Sequence, residues 1–112
     1  MDEDGAEQAT RTLVADLRAA SYAAAGATHV ADLGCGLGLD TLAFARAGLA
    51  VTAVERDPGV AALARANVEA LDLADRIVVL DGDVTDDAVL AAALQHADAA
   101  YVDPARRDTA DR

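Results

Sequence analysis

Strand and helix patterns alternate along this chain in a regular order. Four short apolar segments are typical of buried strands, and in chain order they read THVADLG, AVTAVE, RIVVLDGD and DAAYVDP. Helical patterns separate them, with Gly48 placed to end one helix and Asp57 with Pro58 placed to begin the next. Alternation at such short intervals predicts an α/β fold with a parallel sheet and right-handed crossovers. We expect a Rossmann-like, doubly wound sheet of strand order 3-2-1-4 with helices on both faces.

The helical segments also carry apolar stripes that indicate which side faces the sheet. In an opening helix over residues 6–25, the stripe that recurs at helical spacing consists of Leu13, Val14, Leu17, Ala20 and Ala24, and Arg18 falls outside it. In the helix after Asp57, the expected inner stripe consists of Val60, Leu63, Ala64, Asn67, Val68 and Leu71. A further helix is expected from Thr85 to Ala97, with Asp86 and Asp87 favouring the positive end of its dipole.

Length and charge limit the classes of protein that the chain can represent. Its 112 residues predict one small domain spanning residues 1–112. A formal net charge of -11, with arginine as the only cation, opposes the broad basic face of a nucleic-acid binder. No apolar run is long enough to cross a bilayer and the start is acidic, so we expect a soluble cytoplasmic protein without a membrane partner. We expect no catalytic role for His29 or His96.

Three glycines stand at every second position in the stretch VADLGCGLGLD, just after the first strand. Gly34, Gly36 and Gly38 permit positive φ and let a ligand lie against backbone N–H groups at a helix start. The dinucleotide fingerprint would need glycine or alanine where Leu39 stands, so a nucleoside or an anionic group is favoured over a pyrophosphate. A tight turn without a ligand is the alternative. The single cysteine, Cys35, cannot form an internal disulfide and is expected to be a small packing residue.

One carboxylate stands near the expected carboxyl end of each strand: Asp32, Glu55, Asp83 and Asp103. Glu55 ends the second strand about 20 residues past the glycine turn, where a carboxylate can accept hydrogen bonds from both ribose hydroxyls. Asp83 is expected to end the third strand and to accept from an adenine amino group. The alternatives are a solvated strand end for Glu55 and a helix cap for Asp83. Together the four carboxylates predict a nucleoside site at the switch point, where the glycine turn faces Asp103 and Pro104.

The series VADLGCGLG, VTAVERDP, IVVLDGDV and AAYVDPARR resembles the successive motifs of the class I S-adenosylmethionine-dependent methyltransferases, over nearly all of the chain after the first helix. The resemblance implies S-adenosylmethionine as the cofactor. It also implies direct displacement, in which an acceptor lone pair attacks the sulfonium methyl carbon in line with the departing sulfur, without a metal. It implies that the cofactor is bound by Asp32, Gly34, Cys35, Gly36, Gly38, Glu55, Arg56, Asp83 and Val84. Within that set, Asp32 and the glycine turn would hold the methionine end, Glu55 the ribose, and Asp83 with Val84 the adenine. Asp103 and Pro104 would form the catalytic entrance, where they orient an amine and accept its proton.

A narrower resemblance concerns the segments CGLGLDTLAFARAG and NVEALDLADRIVVLDGDVTD. Together they resemble the trimethylguanosine-synthase-like and bacterial THUMP-like RNA methyltransferases, in which a DPARR-type loop follows the fourth strand. This implies RNA or a nucleoside-type molecule as the acceptor in the intact protein. Ala105 and Arg106 stand where many amino-group methyltransferases carry a second proline and an aromatic residue, so stacking on a target base is lost there. Arg106 and Arg107 can instead bind a phosphate, or they are solvated surface.

The chain ends a few residues after the fourth strand, where members of this family continue. We therefore expect a truncated core in which residues 28–104 supply the cofactor-binding half, with weak cofactor binding and no methyl transfer by the chain alone. Val78 and Leu80 are expected to be partly exposed, and the edge of the fourth strand is expected to favour self-association. Two alternatives are a non-catalytic nucleoside-binding remnant and a fragment of an NAD-dependent oxidoreductase, which would use the same Glu55 contact.

Overall fold

The computed structural model describes residues 3–36 and 38–102. Its elements in chain order are α1 (Glu3–Ala24), β1 (His29–Leu33), α2 (Leu39–Arg46), β2 (Ala50–Glu55), α3 (Pro58–Ala70), β3 (Ile77–Asp81), α4 (Asp87–Leu94) and β4 (Ala99–Val102). The strands form a parallel sheet of order β3-β2-β1-β4. The predicted fold class and strand order are confirmed. Within the described residues, no helix has both the length and the apolar character that crossing a bilayer requires.

Side chains near the helix ends explain most of the observed boundaries. Asp57 caps α3, since its carboxylate accepts from the backbone N–H groups of Gly59 at 2.9 Å and Val60 at 3.2 Å. Asp86 caps α4 in the same way, accepting from the N–H of Ala88 at 2.9 Å. Other helix boundaries differ from expectation: α1 is Glu3–Ala24 rather than 6–25, and α4 is Asp87–Leu94 rather than Thr85 to Ala97.

Successive side chains of each strand point to opposite faces of the sheet. One face, here called the packed face, carries Val30, Val51, Ala53, Ile77 and Val79, all buried in one core with residues of α1, α2 and α3. The other, here called the open face, carries Ala31, Thr52, Val54, Val78 and Leu80. Of the described helices, α4 packs on the open face. It covers Ala31 and Val54, which are buried together with Ala93 of α4. Val78 is 55% exposed and Leu80 half-buried, which confirms the expected exposure.

The helix α1 turns a different side to the core from the one predicted. Leu13, Val14 and Leu17 are 58%, 45% and 61% exposed, whereas Ala15 and Ala19 are buried. The predicted stripe was wrong because small residues allow α1 to approach α2 closely, while the larger apolar side chains remain outside. Further along α1, Tyr22 packs its ring edge-on against Phe44 of α2, with the centroids 5.0 Å apart.

The predicted stripe of α3 is also partly wrong. Ala64 and Val68 are buried as expected, and Ala61 joins them. Leu63 and Leu71, however, are 57% and 55% exposed. The side of α3 that contains alanine packs against the sheet, and large leucine side chains are exposed, as they are in α1.

Candidate cofactor site

The turn between β1 and α2 adopts the conformation that its glycines predict. Gly34, Gly36 and Gly38 have φ values of 86°, 58° and 96°, in the region that disfavours other residues. The backbone N–H groups of Gly34 and Cys35 both donate to the carbonyl of Val54, at 2.9 and 2.8 Å, and so tie the turn to the end of β2. A Cβ added at Gly34 would meet nothing within 4 Å. Conformation rather than crowding therefore requires glycine there, and open space lies beside the turn.

Glu55, the last residue of β2, is joined to this turn by its carboxylate. Its Oε1 accepts from the backbone N–H of Gly36 at 2.8 Å, and its Oε2 accepts from the N–H of Asp57 at 3.1 Å. The side chain is half-buried. The carboxylate is thereby held in one orientation between the glycine turn and the start of α3, beside the open space at Gly34.

Asp32 lies beneath the turn, fully buried on the packed side of β1. Its Oδ2 accepts a hydrogen bond of 2.5 Å from the hydroxyl of Thr41, in the first turn of α2. The start of a helix carries partial positive charge and stabilises a nearby carboxylate. This bond fixes α2 against the end of β1. Sequence reasoning missed Thr41, for which the signal was a hydroxyl residue placed three positions after Gly38.

Asp83 does not end β3, as the sequence analysis expected. The strand ends at Asp81, and Asp83 lies in the following loop, where it is exposed. Its Oδ1 accepts from both the backbone N–H and the hydroxyl of Thr85, at 2.9 and 2.8 Å. Those two bonds, with a smaller contribution from the charge of Arg56, lower the pKa of Asp83. Asp83 therefore orders a turn before α4, and Asp86 rather than Asp83 caps the helix.

Gly82, directly after β3, is closely packed against α4. The backbone N–H of Gly82 donates to the carbonyl of Glu55 at 3.0 Å and forms the last link to β2. A Cβ at this position would lie 2.8 and 3.0 Å from the two methyl groups of Val89 in α4. Glycine therefore lets α4 approach the sheet at the point where the loop carrying Asp83 and the half-buried Val84 begins.

The structure adds a cluster at the same edge of the sheet that sequence reasoning did not predict. Arg18 of α1 donates from Nη1 to Oδ1 of Asp40, near the start of α2. Its guanidinium also lies 4.5 Å from the ring centroid of Tyr101 in β4. No sequence signal distinguishes Arg18 from the other arginines of the chain, because its partners come from distant segments.

The remaining residues that the sequence analysis named have different outcomes. Cys35 is fully buried in the turn, as expected of a packing residue. Arg56 is exposed directly after Glu55. Asp103 and Pro104, like Ala105, Arg106 and Arg107, lie outside the described residues. Both histidines lie away from the turn. His29 is the first residue of β1, at the amino end of the strand, and its Nε2 is 2.7 Å from the hydroxyl oxygen of Thr52. The ring of His96 lies 6.4 Å from the ring of His29.

Comparison with known proteins identifies the family to which this geometry belongs. The profile of a family described as a methyltransferase domain matches residues 30–108, which include the glycine turn and Glu55. The chain therefore belongs to this family, the class I S-adenosylmethionine-dependent methyltransferases. Membership implies S-adenosylmethionine as the cofactor.

Solved structures agree with this assignment. An O-methyltransferase from Bacillus cereus in complex with S-adenosylhomocysteine is 25% identical over 84% of this chain and 44% of its own, with a TM-score of 0.68. An RNA methyltransferase from Salinibacter ruber, also with S-adenosylhomocysteine, is 25% identical over 67% of this chain and 46% of its own, with a TM-score of 0.59. A methyltransferase from Podospora anserina, 18% identical over 82% of this chain and 39% of its own, shares the fold with a TM-score of 0.69. The chain spans less than half of the length of each.

Proposed function

We propose that this chain supplies the S-adenosylmethionine-binding half of a methyltransferase whose intact form methylates RNA or a nucleoside-type acceptor. The observation that carries the cofactor part is the hydrogen bond of 2.8 Å from the Gly36 N–H to Glu55. It brings the carboxylate that ends β2 against the glycine turn that ends β1, at the crevice where open α/β sheets bind nucleosides.

The residues present fit the cofactor. A carboxylate has about four lone-pair positions on its two oxygens, so Glu55 can keep its backbone bonds and still accept from two ribose hydroxyls. The open space beside Gly34 admits a ligand directly against the backbone. Asp32 and the turn then lie at the methionine end, and the loop of Asp83 and Val84 lies toward the adenine. Asp83 is exposed, and both hydrogen bonds from Thr85 go to the same carboxylate oxygen, Oδ1. This arrangement is compatible with an additional contact to the cofactor.

When bound, the cofactor would supply a methyl group on a sulfonium sulfur, and an acceptor lone pair would bond to that methyl carbon as the carbon–sulfur bond breaks and the thioether leaves. The chain's own contribution is positioning, and good alignment of two reactants can offset about 7 to 11 kcal/mol of a barrier. Glu55 and the glycine turn fix the nucleoside, and Asp32 with Thr41 fixes the start of α2 beneath it. Asp103 and Pro104 are proposed, on the motif resemblance alone, to orient the acceptor and receive its proton.

The acceptor class rests on the DPARR loop and on the likeness to the RNA methyltransferase from Salinibacter ruber. The O-methyltransferase from Bacillus cereus has the same sequence identity and matches more of this chain with a higher TM-score, so a hydroxyl-bearing small molecule is the competing outcome. The net charge of -11 repels a phosphate backbone, so an RNA acceptor requires basic surface from elsewhere in the intact protein. Self-association through the edge of β4 likewise stays a prediction.

Two measurements test this proposal. Calorimetric titration of the chain with S-adenosylhomocysteine, S-adenosylmethionine and NAD should give binding of the first two only; preference for NAD would contradict the proposal. Transfer of radiolabelled methyl groups by the intact protein should then favour RNA over small hydroxyl-bearing acceptors. Methylation of small hydroxyl compounds alone would overturn the acceptor class while leaving the cofactor site intact, and binding without any transfer would indicate a non-catalytic module.

A further inference from the structure

Arg18 lies at the carboxyl edge of the sheet, on the side of the glycine turn that faces β4. One helical turn later in α1, the hydroxyl of Tyr22 donates to the carbonyl of Ala100 in β4 at 2.9 Å. Since α1 runs opposite to the strands, Arg18 is displaced from Tyr22 toward the carboxyl edge by about 6 Å. Its guanidinium lies over Tyr101, the residue of β4 that pairs with Asp32 of β1. Arg18 is therefore a cation beside the end of β1.

Two contacts hold the Arg18 guanidinium in place without enclosing it. Asp40, only two residues after Gly38, accepts from Nη1, and the ring of Tyr101 supports the planar face. The Arg18 side chain is 28% exposed, against 10% for Asp40. A guanidinium carries five N–H donors in a fixed plane, so one group can bind Asp40 and a second carboxylate together.

The negative charges around the turn make a nearby cation necessary for binding a ligand carboxylate there. Asp32, Asp40 and Glu55 surround the turn in a chain of net charge -11. The methionine part of S-adenosylmethionine carries an ammonium, a sulfonium and a carboxylate. The protein carboxylates suit the first two groups, whereas the ligand carboxylate would meet like charge unless a cation lies beside it.

Orientation of the ligand decides which arginine can supply that charge. Arg56 directly follows Glu55 at the end of β2, which lies on the opposite side of β1 from β4, so it lies on the other side of the turn from Arg18. With the ribose at Glu55, the amino-acid end extends toward β1 and β4, where Arg18 lies. We propose that Arg18 binds the methionine carboxylate of S-adenosylmethionine, with Asp40 and Tyr101 as the residues that orient it. This inference rests on the proposed function.

The test compares S-adenosylmethionine with decarboxylated S-adenosylmethionine, which differ in that carboxylate alone. By calorimetric titration, Arg18→Gln should weaken binding of S-adenosylmethionine by about tenfold to a hundredfold, the usual range for a hydrogen bond to a charged group. Binding of the decarboxylated ligand should stay unchanged, and Arg18→Lys should restore part of the loss. The matched control is Arg46→Gln, because the Arg46–Asp16 pair of 2.8 Å also joins α2 to α1 but is exposed. The control should alter neither affinity.

Other results of these titrations would overturn either the inference about Arg18 or the proposed function. An equal loss for both ligands in Arg18→Gln would reduce Arg18 to a brace between helices and overturn the inference. No loss for either ligand would overturn it as well, and would leave the proposed function standing provided the unmodified chain binds both. If the unmodified chain binds neither ligand, the proposed function itself fails. Thermal unfolding of the Arg18 and Arg46 variants separates lost binding from lost folding.

Discussion

The two faces of the sheet differ in how completely helices cover them. On the packed face, α1, α2 and α3 bury Val30, Val51, Ile77 and their neighbours in one core. On the open face, among the described residues, α4 covers Ala31 and Val54 but leaves Val78 more than half exposed. The difference teaches that most of the core lies on the packed face, where the Thr41–Asp32 bond also fixes the start of α2 beneath the glycine turn.

The strongest test of this contrast is a pair of truncations, one on each face. Phe44, fully buried in α2, contacts both Tyr22 and Tyr101 through its ring. Phe44→Ala should lower the free energy of unfolding by about 3 to 5 kcal/mol, measured by urea denaturation. Val78→Ala should lower it by less than about 1 kcal/mol, since little packing is lost at an exposed strand position. Similar losses from the two variants would show that the open face is covered in solution.

An intermediate effect is expected where α4 meets the sheet. Gly82→Ala places a methyl group against the branched side chain of Val89, which cannot move aside easily. We expect a loss of about 1 to 3 kcal/mol, typical of overpacking. Adding the substitution Val89→Ala should recover part of this loss, whereas a double variant as unstable as Gly82→Ala would rule out the steric explanation.

Substitutions in α1 distinguish its observed orientation from the orientation expected from the sequence, because an exposed apolar residue can be replaced with little change in the free energy of unfolding. Leu17→Gln should change the free energy of unfolding by no more than about 0.5 kcal/mol, as at other surface positions. Ala19→Leu, at a buried position of the same helix, should destabilise by about 1 to 3 kcal/mol. If Leu17→Gln were the more damaging of the two, the predicted stripe would face the core after all.

A further prediction concerns Asp98, which joins the amino ends of β4 and β1. Its carboxylate accepts from the hydroxyl of Thr28 and from the N–H groups of His29 and Thr28, in that order of influence, and these bonds lower its pKa from 3.8 to about 2. A depressed pKa stabilises the fold above the unfolded value, and this stability is lost as pH falls from about 4 toward 2.

Asp98→Asn should therefore remove part of the pH dependence of unfolding between about pH 4 and 2, measured by denaturation at several pH values. Asp75→Asn, at an exposed loop position, is the control. An unchanged pH profile in the Asp98 variant would show that this clip does not form in solution.

Those parts of the fold that depend on periodicity were predictable from the sequence. β2 was predicted with its observed bounds, and the position of Glu55 at its end followed directly. Strand order followed from the short alternation of elements, through the general rules for parallel sheets. The cap at Asp57 was likewise readable, because capping depends on neighbouring residues alone.

Features that depend on contacts between distant segments were not predictable. The orientation of α1 depends on how closely Ala15 and Ala19 approach α2, and a stripe chosen by side-chain size misses that. β3 ends at Asp81, beside the contact between Gly82 and Val89 of α4, and the sequence misjudged the position of Asp83 by two residues. The Arg18–Asp40 pair spans 22 positions and has no local pattern.

The central claim, that Glu55 at the glycine turn binds the ribose of the cofactor, is tested most directly by titrating Glu55 variants with S-adenosylhomocysteine. Glu55→Ala should weaken binding by an amount corresponding to about 1 to 3 kcal/mol, since the hydroxyls lose their partner. Glu55→Gln, which keeps one carbonyl acceptor for the Gly36 N–H, should lose less, and Glu69→Gln on the exposed side of α3 should lose nothing. Unchanged affinity in Glu55→Ala would contradict the account and return Glu55 to the status of a structural tie between two strand ends.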